Sequence, residues 1–149
     1  MPSLHPRSLF PAALIGMAMT AATPALAHSY KVGAIEIGHI WAKPPVHGAL
    51  AIYGPLFNSG GKPDTLVGVQ SSAARSAYIA RTVNGHEQPV RSIALQPGRP
   101  VSLASWTQHI VLQGVKGNVH AKSMVPLTLR FAHAGTVKVM AMVENAPSD

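Results

Sequence analysis

No cysteine occurs among the 149 residues. That excludes disulfides, thiolate-bound zinc, iron–sulfur clusters and cysteine nucleophiles together. Charge is scarce as well: 11% of residues are ionic, with 12 Lys and Arg against 5 Asp and Glu. The 47% hydrophobic content is nonetheless far above that of a disordered chain and sufficient for a packed core. Aromatics make up only 5%, and the bases are scattered singly from Lys31 to Lys138 without aromatics between them. A nucleic-acid surface is therefore not expected. After Ala27 no apolar run approaches the roughly 20 residues of a membrane span. Glycine and proline are the opposite of scarce, at 13 each, which argues against a helical bundle.

What is present first is an N-terminal export signal. Arg7 gives a weakly basic start, Ala12 to Ala22 is small and apolar, Thr23-Pro24 breaks the run, and Ala25-Leu26-Ala27 offers a cleavage site. Residues 1–27 are thus expected to be a signal peptide and 28–149 one soluble domain, exported to the periplasm, with His28 as mature N-terminus. Loss of Arg7 removes one of the 12 bases, so the mature chain stays strongly positive, suited to acidic partners or anionic lipid.

The mature chain reads as short strands separated by turn residues. Tyr30 to Ile37, Ala49 to Phe57, Thr65 to Val69, Ala77 to Val83, Pro89 to Leu95, Val101 to Leu103, His109 to Leu112, Val125 to Phe131 and Thr136 to Val143 all carry β-type patterning. Asn84-Gly85 predicts a tight hairpin. With turns this frequent and no sustained helical period, the expected fold is an all-β sandwich or barrel in one domain.

Five segments in order resemble the periplasmic copper chaperones of the PCu(A)C type. His39-Ile40-Trp41-Ala42-Lys43 is similar to that family's His-Pro-Trp-Ala-Arg, and Asn58-Ser59-Gly60 to the end of its T-x-x-N-x-G. Leu66 to Ala74 resembles L-x-G-A-x-S-x-x-A, Gln108 to Lys116 resembles Y-H-x-M-L-M-G-L-K, and Val125 to Phe131 resembles V-P-L-T-L-x-F. The resemblance implies a cupredoxin-like Greek-key β-sandwich or barrel. It also implies binding of Cu(I) for delivery to a respiratory oxidase subunit or another cuproprotein, with no enzymatic activity.

The family's ligand set is a His, a Met about eleven positions on, and a later His-x-Met, soft thioethers suiting Cu(I). Here the later pair is His109-Ile110-Val111, with valine where the methionine belongs. Counting back from His109 puts the earlier Met slot near Glu87 and the first His near Ser76; counting forward from Ala74-Arg75 puts that His at Ile79. Of the family's four ligands only His109 carries over. The expectation is a weak or altered copper site.

Strand alternation places His109 and Val111 on one face and Ile110 and Leu112 on the other. If the aliphatic pair faces the core, His109 points outward. His86, beside the eroded Met slot, and His28, whose α-amine and imidazole form a nitrogen chelate favouring Cu(II), are the other two candidate metal residues. His39 beside Trp41 reads as structural, and His47, His120 and His133 as loop residues. Met140 and Met142 share a strand face in a pattern that suits barrel packing, and Met124 stands isolated. No Gly-x-Ser-x-Gly, phosphate loop or carboxylate pair supports an enzyme. The competing reading is a metal-free adaptor or assembly module of the same fold.

Overall fold

The computed structural model describes residues 29–145; residues 1–27, expected to be a signal peptide, and His28 lie outside them. The described residues form twelve strands and no helix: β1 Tyr30–Val32, β2 Ile35–Ile37, β3 Trp41–Ala42, β4 Ala49–Asn58, β5 Asp64–Gln70, β6 Ala74–Val83, β7 His86–Val90, β8 Ile93–Leu95, β9 Val101–Leu103, β10 Gln108–Val115, β11 Met124–Phe131 and β12 Gly135–Val143. All belong to one barrel-like sheet in the order β7-β6-β10-β9-β4-β3-β12-β11-β5-β8, with β1 and β2 attached along β4. The all-β expectation is met. Two expected single strands are each split in two, Tyr30–Ile37 at Gly33, where φ is +53°, and Pro89–Leu95 at Arg91-Ser92.

Period-two alternation carries the core. Leu50, Ile52 and Leu56 of β4, Ile110 and Leu112 of β10, Val125, Leu127 and Leu129 of β11, and Val139, Ala141 and Val143 of β12 are all buried in a single cluster. At the Asn84-Gly85 hairpin both residues take positive φ, +50° and +77°, as a two-residue loop between twisted strands requires. That loop fixes the pairing of β6 with β7, Thr82 opposite Glu87 and Ala80 opposite Pro89. Gly54, with φ +144°, sits where β4 crosses from β10 to β9; a Cβ there would come within 2.6 Å of the His39 carbonyl oxygen. Only glycine lets β4 approach that segment so closely.

Two buried polar side chains tie loops to the sheet. Asn58 donates from Nδ2 to the carbonyls of Lys62 (2.8 Å) and Leu95 (3.0 Å) and accepts from the Gly60 N–H. Asp64 accepts from the backbone N–H groups of Thr65, His133 and Ala134 at 2.7–2.9 Å. Burial pushes the Asp64 carboxyl up, but the three N–H donors and the nearby His133 outweigh it, and the net shift is downward from 3.8. A depressed carboxylate stabilises the fold fully above its unfolded pKa, and that contribution is lost as pH falls through the lower folded value. Urea midpoints for Asp64→Ala should therefore fall below wild type at pH 7, with the gap closing as pH drops below 3.8. A gap independent of pH would show that the ionised carboxylate contributes nothing.

Candidate metal centre

β10 is hydrogen-bonded to β4 on one side and β6 on the other, so both of its edges are paired and it lies in the interior of the sheet. Ile110 and Leu112 are fully buried in the core, and His109 and Val111 lie on the outer face. The face is as strand alternation required. The exposure is not: His109 is only 3% exposed and Val111 4%. The reason lies across the sheet. Ile52 pairs with Ile110, so one step along each strand Tyr53 stands opposite His109, with ring centroids 6.0 Å apart. From the other side come Tyr78, paired with Val111, and Ala80, paired with His109. Tyr53, Ala80, Val111 and His109 are buried without belonging to the core cluster, forming a second, outer patch.

Glu87 closes that patch. It reaches over the small Ala80, and its Oε2 accepts from His109 Nε2–H at 2.8 Å while its Oε1 accepts from the Tyr78 hydroxyl at 2.8 Å. A carboxylate only accepts, so the bond places a proton on Nε2; in the neutral ring Nδ1 is then a lone pair. Among the described residues Nδ1 is the one buried side-chain nitrogen or oxygen without a hydrogen-bond partner. Burial raises the Glu87 pKa, but the bonds from His109 and Tyr78 and the charge on His109 outweigh it, leaving the carboxyl below its usual value. Burial, then Glu87, pushes the Tyr78 phenol up to about 12. The Tyr53 phenol is raised too, by burial first and then by the Glu87 charge.

Positions 87, 109 and 111, the places where the sequence resemblance seats a Met and a His-x-Met, thus converge on one patch. The donors there are an imidazole, a carboxylate and a protonated phenol, with no sulfur. That set does not fit Cu(I), which prefers thioether or thiolate. Neither position for the first histidine supplies a donor: Ile79 is in the core, and Ser76 is exposed opposite Gln113. His86 is exposed and pairs with Val83. Alternation along β7 turns it to the face opposite Glu87, so the structure does not bring it together with His109. The cause is the one-residue offset between His86 and Glu87 that a two-residue hairpin loop imposes. His39 is engaged by Glu144, Nε2 to Oε1 at 2.6 Å, in keeping with a structural role. No group of three or more His, Asp or Glu side chains that could hold a metal ion occurs among the described residues.

A family model of LpqE-like lipoproteins matches residues 34–143. The chain belongs to the LpqE-like family. A relative, Lxx21020 of Leifsonia xyli subsp. xyli, described as a lipoprotein, is 32% identical over 116 residues, covering 74% of this chain and 70% of the relative. Among solved structures, the copper-bound PCuAC domain from PmoF2 is 30% identical with a TM-score of 0.70, covering 80% of this chain and 99% of that one. The apo PCuAC domain from PmoF1 aligns equally well, at 28% identity and a TM-score of 0.70, over 80% of this chain and 100% of its own. The Cu(I) form of DR1885 from Deinococcus radiodurans, at 24% identity and a TM-score of 0.62 over 83% of this chain and 85% of that one, shares the fold. The PCu(A)C-type resemblance read from the five sequence segments is thereby borne out, and this LpqE-like chain has the cupredoxin-like all-β architecture expected of it.

Proposed function

We propose that this LpqE-like protein is a copper-handling, chaperone-like protein of the cell envelope. In this reading it is exported to the periplasm by residues 1–27 and passes copper to a respiratory oxidase subunit or another cuproprotein, without catalysis. The observation that supports the reading is the alignment with a copper-bound PCuAC domain at 30% identity over nearly all of that domain. His109 is the residue kept at the ancestral position, and His28 and His86 are the further nitrogen donors of this reading. At His109 the hydrogen bond to Glu87, which in turn accepts from Tyr78, holds the place of soft ligands, so copper affinity at this position is low.

Anaerobic Cu(I) titration of the protein against a strong chelator tests the proposal. Partial competition, with the chelator keeping most of the copper, is the expected result. One observation favours a second reading, a metal-free adaptor of the same fold: Nε2 of His109 is already committed to Glu87. A protein that never competes with the chelator for Cu(I), and gains no thermal stability from Cu(II), would establish the adaptor and end the copper reading.

A further inference from the structure

The row of outer-face residues that contains His109 does not stop at Tyr53. Tyr53 pairs with Trp41 on β3, their rings 4.8 Å apart and tilted. Trp41 pairs with Met142 on β12, and Met142 with Met124 on β11. Met124, isolated in the sequence, is therefore directly opposite Met142 in the sheet. Met140 lies two residues before Met142 on the same face. Their neighbours Val125, Val139, Ala141 and Val143 turn into the core, whereas Met124 is 38% exposed and Met140 and Met142 are half-buried. All three methionines among the described residues thus share one outer surface and contribute nothing to the core cluster.

Directly opposed residues on an antiparallel pair have Cβ atoms about 4.5–5.5 Å apart, and diagonal neighbours about 7–8 Å. Met124 and Met142 are such a direct pair, and Met140 is diagonal to Met124. Unbranched side chains with three rotatable bonds span those gaps readily, so three thioether sulfurs can meet over the β11–β12 ladder without moving the backbone. His39 and Glu144 flank the surface, already bonded to each other, and Trp41 forms one wall. Thioethers are soft, uncharged donors whose chemistry selects Cu(I) over harder ions.

We infer that Met124, Met140 and Met142 form a thioether site for a soft monovalent ion, Cu(I) or Ag(I), displaced three to four strands across the sheet from the position of His109. This deepens the copper-handling reading and rests on it: the sulfur missing beside His109 is supplied elsewhere on the same face. The His109 patch is then a closed, oxygen-rich relic, and metal capture is the work of the β11–β12 edge of the row.

The test is a titration of the protein, labelled at its methionine ε-methyl groups, with Ag(I) and then anaerobic Cu(I). The ε-methyl resonances of Met124, Met140 and Met142 should shift together and saturate at one equivalent. Trp41 fluorescence in a Trp106→Phe chain should be quenched over the same range. Met124→Leu/Met142→Leu should keep the circular dichroism of the parent and lose at least about tenfold in Cu(I) affinity, while Val46→Ala, at an exposed position outside the row, should lose none. Binding that leaves these methyl signals in place, or that survives the double leucine change undiminished, overturns the thioether site. If it is instead lost in His109→Ala, copper handling stands and only this inference fails. If the parent protein binds no Cu(I) at all, both fall together.

Discussion

Replacing Glu87 and Val111 together by methionine should raise Cu(I) affinity at the His109 position by about two orders of magnitude or more, read in a Met124→Leu/Met142→Leu background. The wild-type patch holds one imidazole whose Nε2–H is given to Glu87, and a phenol bonded to the same carboxylate. Glu87→Met removes the acceptor that holds His109 and supplies a sulfur from β7. Val111→Met adds a second sulfur two residues along the same face of β10, opposite Tyr78 and the half-buried Ala51, where the extra length extends outward and not into the core. Each tenfold gain corresponds to roughly 1.4 kcal/mol, a modest demand on a metal–thioether bond. The measurement is anaerobic competition with a chelator, with the His109 ring resonances as local reporter. An affinity unchanged by both substitutions would mean that these positions do not form a copper site even with the family's ligands restored.

Leu112→Ala should cost about 2–5 kcal/mol of stability. Leu112 is fully buried, lies between Leu50 on β4 and Ala77 on β6, and sits on the strand that both halves of the sheet share. Neighbours fixed by ladders on either side have little freedom to collapse into the space, so most of the cavity persists. Urea unfolding with an unchanged slope would report it as a shift in midpoint. By contrast Met124→Leu, on the exposed outer surface, should move the midpoint hardly at all. A loss below about 1 kcal/mol for Leu112→Ala would show that β10 is not the packed centre of the core.

The segments with strict alternation were legible because parity alone assigns their faces: β4, β10, β11 and β12 fall where the apolar pattern puts them, and Asn84-Gly85 makes the turn its φ preferences predict. Parity also put His109 on the outer face with Ile110 and Leu112 inside. It could not say that the outer face is covered there, because the cover comes from Tyr53 and from Glu87 and Tyr78, whose distance from His109 is a matter of strand order. The same limitation separated Met124 from Met142. They pair because the turn Ala132-His133-Ala134 sets the β11–β12 register, a signal present in the sequence but readable only with the turn geometry in hand.

What this sequence determined by itself was the class of structure and the chemistry withheld from it. The absence of cysteine, the valine at 111 and the glutamate at 87 define which donors exist, and alternation with Gly and Pro turns defines an all-β chain. The tertiary structure alone decided which of those donors meet. Strand order and register bring residues far apart in sequence within bonding distance, setting the buried His109 against the exposed Glu87 and the half-buried Tyr78 in one hydrogen-bond array. Neither long-range pairing nor desolvation is a property of any single segment.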